Sequence, residues 1–334
     1  MTRESVGLVD IARAAGVSRS TASRALRGEG RVSPETVERV KRVAQSLGYV
    51  PDLRASALAS KSLNTVGIML RASERSFYGE IAARIQSGLE RRGMDLIIAN
   101  GGGSDTSQMR AVNSLLGRKV AGLIIASGRA SIAVAQYAAS FGPVALVGLS
   151  SPSPTIDSIV IDPDSERYLA RRVLAQGHRV VAVTTALADV SRTLHDRAEI
   201  FISELRAGGA DVVDIGPAAE GGEAVDRAVA TAVDAGATAI MTGDDTTMLA
   251  VLERLADQGV AVPRQMSVTG FDGVGVFASP LLGFTTMRQP VEQLGDTAVR
   301  LLTSRISGVA SQARHLCIPG QYLPGRTLGS APSH

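Results

Sequence analysis

The 334-residue sequence predicts an α/β fold class: a small all-α head and a hinge helix, followed by two doubly wound parallel-sheet subdomains. Three observations carry this. Residues 1–61 show helical spacing only. From Leu63 onward, short apolar β-rich runs alternate with longer amphipathic stretches. Those runs are too many for one small sheet, so the body is read as two sheets in succession.

In the head, Leu8, Ile11, Ala12 and Ala15 form the apolar face of a first short helix. Gly16 permits a turn, because glycine takes a positive φ without steric cost. Ser18 sits where an N-cap belongs, ahead of a second helix whose inward face is Ala22, Ala25 and Leu26. Arg19, Ser20, Thr21, Ser23 and Arg24 are left outward. The pattern is that of a helix-turn-helix, and taken alone it also suits a helical hairpin on a globular surface. Ser33 and Pro34 open a third helix with Val37, Val40, Ala44 and Leu47 along one stripe, closed by Gly48 and Pro51. Asp52–Ser60, DLRASALAS, has good helix formers but falls below the roughly 12–15 residues an isolated helix needs. It reads either as a plain linker or as a hinge helix that folds only against a partner.

Strands are expected at TVGIML (65–70), DLIIAN (95–100), AGLIIAS (121–127), PVALVGL (143–149), SIVID (158–162), VVAVTT (180–185), DVVDIG (211–216), ATAIMTG (237–243) and MSVTGFD (266–272). Near-continuous apolar strands of this kind belong to parallel sheets covered on both faces. Ligands in such folds bind beyond the carboxyl ends of the strands, here in a cleft between the two subdomains.

Charge is divided unevenly. Residues 1–61 hold eleven basic and six acidic residues, a net of +5, and the remaining chain is net −2. A basic head on a slightly acidic body suits a polyanion-binding end. Cys317 is the only cysteine, which leaves no intrachain disulfide and no cysteine cluster, and its apolar neighbours suggest a buried strand thiol. His178, in GHR, is read as a loop or helix-end residue. Neither a secretory h-region nor a membrane-length apolar run is present, so the expected compartment is the cytoplasm. Gly101–Gly103 lacks a following G-K-[ST], GFDGVGVF lacks the dinucleotide spacing, and no G-x-S-x-G elbow presents a serine. No enzyme activity, cofactor or metal is therefore expected.

The head VDIARAAGVSRSTASRALRG, then VSPETVERVKRVAQSLGYVPDLRASALAS, resembles the DNA-binding head of the lactose/galactose repressor (LacI/GalR) family. The segments SFYGEIAARIQSGLERRGMDLIIAN, KVAGLIIAS, GHRVVAVTT, GVAVPRQMSVTGFDG and TTMRQPVEQLG resemble the type I periplasmic-binding-protein-like body of that family. The resemblance implies a head at 1–50, a hinge at 51–62 and a body at 63–334. Within the body, an N-subdomain takes about 63–161 and 290–319, and a C-subdomain about 162–289 and 320–334. It implies that Arg19, Ser20 and Arg24 read base edges in the major groove and that Ser18 and Thr21 contact phosphates. Ala55 and Leu58 would enter the minor groove, Leu58 as a wedge. It further implies a small-molecule effector, a sugar or sugar derivative, gripped by Arg197, Asp244, Asp272, Thr193 and Asp162. Phe77 and Tyr78 would offer apolar faces to a sugar ring. Asp244 stands where the family has Asn, which shifts the expected cleft toward accepting hydrogen bonds and favours a donor-rich ligand. The partners so implied are pseudo-palindromic operator DNA, the effector and a second copy of the chain, with no membrane. A soluble sugar-binding receptor is the rival, and it predicts a signal peptide and no basic head.

Overall fold

The computed structural model describes residues 6–27, 30, 32–49, 64–218 and 222–332. The chain divides into two compact units, Met1–Leu63 and Asn64–His334. Ala55 and Leu58 lie outside the described residues, as does the whole segment 51–62.

The first unit contains α1 (Leu8–Ala14), α2 (Arg19–Arg27) and α3 (Pro34–Ser46). Gly16 turns the chain between α1 and α2 at φ +66°. Ser18 accepts the Thr21 N–H at 3.1 Å, and Ser33 accepts the Thr36 N–H at 3.3 Å, so each helix start has its cap. Ile11, Ala12, Ala15, Ala22, Ala25, Val40 and Ala44 make the small core. Arg39 reaches from α3 to donate its Nε–H to the Ala15 carbonyl at 3.2 Å, satisfying an acceptor at the end of α1. Leu47, expected on the inward stripe, is 39% exposed. It follows the last helical residue, and the C-cap turn carries it off the face.

The second unit holds two six-stranded sheets. The first is ordered β11-β5-β4-β3-β1-β2, from β1 (Thr65–Leu70), β2 (Asp95–Asn100), β3 (Gly122–Ala126), β4 (Val144–Val147), β5 (Asp157–Ile161) and β11 (His315–Ile318). All its pairings are parallel. The second is ordered β12-β10-β9-β8-β6-β7, from β6 (Val180–Val183), β7 (Asp211–Asp214), β8 (Ala239–Met241), β9 (Ser267–Asp272), β10 (Thr286–Arg288) and β12 (Gln321–Leu323). Only β12 runs antiparallel to its neighbour, β10. Helices cover the sheets: α4 (Ser76–Glu90), α5 (Asp105–Leu116), α6 (Ile132–Ala139) and α11 (Val291–Ile306) pack on the first. On the second lie α7 (Pro163–Ala175), α8 (Arg192–Ala207), α9 (Glu223–Asp234) and α10 (Asp245–Asp257). Ile81, Ile85 and Leu89 of α4 are fully buried, as their four-residue spacing requires.

The chain passes between the sheets three times: after β5, after β10 and after β11. The crossings pack together. A Cβ on Gly320 would lie 3.0 Å from Ile161 Cδ1 and 3.0 Å from Met287 Sδ, so the third crossing touches both others. The Gly320 N–H donates to Ser165 Oγ at 2.8 Å, and the Asp162 N–H donates to the Ile318 carbonyl at 2.8 Å.

One expectation changes here. Cys317 lies on strand β11 but is exposed. On this edge strand Leu316 and Ile318 take the inward positions, and the alternation turns Cys317 outward. His178 lies in the loop that follows α7, as expected, and is fully buried there. Its Nδ1 lies 2.8 Å from Thr238 Oγ1 and its Nε2 3.1 Å from the Gly329 carbonyl, so it pins the C-terminal tail to the second sheet.

Asp157, fully buried at the start of β5, joins α11 to the segment before β11. It accepts from Arg305 Nε at 2.7 Å and from the Arg314 backbone N–H at 2.7 Å. Burial pushes this carboxyl up, but the hydrogen bonds from Arg305 and Arg314 outweigh it and hold the group below the usual carboxylate range. Its stabilising contribution is therefore present above the unfolded pKa of about 4 and is lost as pH falls through the lower folded value. Asp157→Ala is expected to cost up to about 3–5 kcal/mol, because it removes one partner of a buried ion pair. Urea unfolding at pH 7 measures the loss, and the acid limb of the wild-type stability curve should flatten in the variant.

Candidate functional site

Between the two sheets lies a cleft enclosing roughly 700 Å³ of empty space, partly open to solvent. It is lined from the carboxyl ends of the strands on both sides. After β1 come Arg71, Arg75, Ser76, Phe77 and Tyr78, and Gly128 and Gly148 follow β3 and β4. The second sheet contributes Ser191, Thr193 and Arg197 after β6, then Asp244 and Asp245 after β8, and Asp272 at the end of β9. Parallel strands place all these loops on one edge of their sheet, so residues distant in sequence converge.

Arg197 is the most constrained of them, at 3% exposure. Its guanidinium lies over the Phe271 ring, Cζ 3.6 Å from the centroid. Its Nε faces Glu166 Oε1 at 3.4 Å, its Nη1 donates to the Gly243 carbonyl, and Asp272 Oδ1 is 4.0 Å away. Burial raises the Glu166 carboxyl even though the Arg197 charge draws it down.

Asp272 holds φ +116°, a conformation L side chains rarely adopt. Gln289, at the second crossing, fixes it there: its side-chain amide donates to Asp272 Oδ1 at 2.6 Å and its backbone N–H to the Asp272 carbonyl at 2.8 Å. Burial raises the Asp272 carboxyl to about 6 against the lowering pull of Arg197. Asp245 is fully buried, accepts from the Thr286 hydroxyl and the Gly273 N–H, each at 2.6 Å, and is pushed up to about 8 by burial and by Asp272. Gly270 is needed beside it, since a Cβ there would overlap the Asp245 carboxylate. Asp244 caps α10, accepting the Thr247 N–H at 2.7 Å, and faces Arg75 across the cleft at 3.4 Å.

Phe77, Tyr78, Thr193, Arg197, Asp244 and Asp272 thus all reach the lining. Phe77 and Tyr78 are mostly core residues, 8% and 9% exposed, in an edge-to-face pair with centroids 5.2 Å apart. Thr193 joins the two subdomains: its hydroxyl donates to the Gly148 carbonyl at 2.6 Å and its N–H to the Gly128 carbonyl at 3.2 Å. A Cβ on Gly128 would come within 2.6 Å of the Thr193 hydroxyl, so only glycine lets the two sides close there. Asp162 is absent from the lining. It caps α7 instead, accepting the Asp164 N–H at 3.0 Å, because the first crossing turns directly into that helix. Sequence reasoning missed Arg71, Arg75, Ser191 and Gln289. The first two follow β1 directly, and the strand-end rule covers them as well as it covers Phe77. Gln289 carried no signal, since its partner is seventeen residues away.

The head presents a second candidate surface. Ser18, Arg19, Ser20 and Arg24 are exposed and Thr21 is half-buried on α2. Ser18 Oγ lies 2.8 Å from both Ser20 Oγ and Thr21 Oγ1, a hydroxyl cluster at the helix start beside the two arginines. The Arg24 stem rests near Gly30, where a Cβ would be 3.2 Å from Arg24 Cδ.

A capped helix-turn-helix unit and a body of two parallel sheets around a polar cleft define the class of two-part, ligand-responsive regulators. Residues 7–52 match the family model of bacterial regulatory proteins, lacI family, and residues 170–328 match that of a periplasmic binding protein-like domain. The chain thus joins a lacI-family DNA-binding domain to a periplasmic binding protein-like domain. It is 28% identical over 305 residues to catabolite control protein A of Priestia megaterium, covering 89% of this chain and 92% of that protein. It is 29% identical over 328 residues to the transcriptional regulator CelR of Thermobifida fusca, covering 92% and 94%. Its fold is similar to the lac repressor dimer bound to operator and an anti-inducer: TM-score 0.85 at 24% identity, over 98% of this chain and 100% of that one. A CelR–cellobiose complex matches with TM-score 0.68 at 25% identity, over 96% and 99%.

Two outcomes test the cleft geometry. Thr193→Val keeps the shape and removes the donor to Gly148, at a cost of about 1–3 kcal/mol for the unpaired carbonyl. Amide exchange of the Thr193 N–H should accelerate. For Asp245, the folded pKa of about 8 exceeds the unfolded one, so the folded state holds the extra proton and stability falls as pH rises toward 8. The slope cannot exceed about 1.4 kcal/mol per pH unit for one proton. Between pH 6 and 8 that decline should be shallower in Asp245→Asn, as read by thermal unfolding.

Proposed function

We propose that the chain is a ligand-responsive, sequence-specific transcriptional regulator that represses a sugar or carbohydrate-metabolism operon. One observation carries the reading: the same polypeptide holds an exposed Arg19–Ser20–Arg24 face on a capped second helix and a cleft lined by convergent polar groups. The named relatives are regulators rather than enzymes, which supports a binding role without turnover.

In this reading two heads (1–50) occupy half-sites of a pseudo-palindromic operator. Arg19, Ser20 and Arg24 read bases, Ser18 and Thr21 set register on phosphates, and Ala55 and Leu58 of the hinge (51–62) enter the minor groove. The bodies (63–334) form the homodimer, the N-subdomain taking 63–161 and 290–319 and the C-subdomain 162–289 and 320–334. An effector, a sugar or sugar derivative, binds between Phe77, Tyr78, Thr193, Arg197, Asp244 and Asp272. It acts by binding one arrangement of the subdomains better than another, and the difference reaches the paired hinges. No helix among the described residues is long and apolar enough to cross a membrane, and this function belongs in the cytoplasm.

Site selection from a random duplex pool with the full-length chain tests the reading. Enriched sequences should show two half-sites related by a dyad. Arg24→Ala should relax preference at one position per half-site by about 1–3 kcal/mol, whereas Thr21→Ala should weaken all sequences alike. A pool returned without enrichment overturns the reading.

A further inference from the structure

We propose that the ligand of the cleft carries an anionic group, a carboxylate or phosphate ester borne on a sugar, and that Arg71 binds that group. The inference deepens the effector reading above and rests on it.

The argument is a pairing of charges around the lining. Arg197 is answered by Glu166 and, at 4.0 Å, by Asp272. Arg75 is answered by Asp244. Arg71 makes no ion pair with any described carboxylate; its recorded contact is a long one, Nη1 to Ser191 Oγ at 3.5 Å. A half-buried guanidinium therefore lines the cleft with most of its five N–H donors uncommitted.

The acceptors are in the opposite condition. Asp245 is engaged by Thr286 and the Gly273 N–H, Asp272 by Gln289, and Asp244 by the Thr247 N–H and Arg75. The row of aspartates suggests in sequence a cleft that accepts hydrogen bonds. In the folded protein most of those oxygens serve their own neighbours, Asp272 Oδ2 excepted, and the charge left without an opposite partner is that of Arg71. Burial also keeps Asp245 largely protonated near neutrality, which lowers the negative charge facing the ligand. Ser191 strengthens the same corner. It is 1% exposed and caps α8, and Thr193 and Leu194 of that helix's first turn line the cleft. The N-terminal end of a helix favours negative charge. A neutral polyol would leave the Arg71 charge unanswered, whereas a carboxylate or phosphate forms the short, charge-assisted pair that guanidinium geometry suits.

The test uses full-length protein and matched probes by calorimetry and thermal shift: glucose, glucuronate and glucose 6-phosphate, the galactose counterparts, and inorganic phosphate alone. At least one acidic sugar should bind roughly tenfold or more tightly than its neutral parent. Arg71→Gln should erase that preference, and Arg71→Lys should keep part of it. Whether the uronate or the phosphate responds identifies the anion. Equal or tighter binding of the neutral parent overturns the proposal and leaves the effector reading standing, as does a preference that survives in Arg71→Gln. Inorganic phosphate stabilising as strongly as the sugar phosphate overturns the sugar-borne anion. If no sugar of either kind raises the melting temperature, the effector reading fails and takes this inference with it.

Discussion

A charged guanidinium taken almost wholly out of water stands on the second subdomain's side of the cleft, and much of the cleft is built to hold it. Arg197 lies on the Phe271 ring, with Glu166 on one side and the Gly243 carbonyl on another. Those partners come from α7, the end of β9 and the turn after β8, so one side chain ties together three elements that the sequence keeps far apart. An unpaired charge at this depth would be expensive, which makes the neighbours as necessary to the fold as the arginine is to the site. Asp272 continues the chain of constraint. Its left-handed backbone is held by Gln289, and Gln289 stands at the second crossing between subdomains.

That linkage gives the crossings their meaning. Three strands pass between the sheets side by side, packed so closely around Gly320 that a side chain there would strike the other two. Across the cleft mouth the subdomains touch through Thr193 on Gly148, Arg75 on Asp244, and the Gly275 N–H on Glu80 at 2.6 Å. Val274, after β9, joins the apolar cluster of Phe77 and Tyr78, and Thr193, Gly148, Arg75 and Asp244 line the cavity itself. A ligand entering there competes with or adds to them directly, so binding energy and subdomain arrangement are coupled by position.

The head follows a different economy. It has only a small core, rich in alanine, and depends on local chemistry, a glycine turn and serine caps at Ser18 and Ser33, with Arg39 on the Ala15 carbonyl as a tie between α3 and α1. Local chemistry is what a sequence displays openly. The caps, the turn and the outward Arg19, Ser20 and Arg24 were legible because each depends on neighbours within four residues. The same holds for the nine apolar runs of the body, whose length and β-branched composition mark them as buried parallel strands. Where the reading went astray, the missing information was an environment. Cys317 has apolar neighbours but lies outward on an edge strand. Asp162 looks like a ligand contact until the crossing makes it the cap of α7.

By itself the sequence determined the three head helices and nine of the twelve strands among the described residues, the division into a basic helical head and an alternating body, and the strand ends from which a site could be built. Periodicity, capping and turn chemistry act over a few residues, and those signals survive in one dimension. Only the tertiary structure decided which polar groups remained available. Asp244 and Asp272 read as open acceptors along the chain, yet folding engages Asp244 with Thr247 and Arg75 and Asp272 Oδ1 with Gln289, and it commits the neighbouring Asp245 to Thr286 and Gly273. Arg71, unremarkable in sequence, keeps its donors because folding brings it no carboxylate among the described residues. A hydrogen bond across dozens of residues has no periodicity to betray it, so the balance of donors and acceptors in the cleft is a property of the folded chain alone.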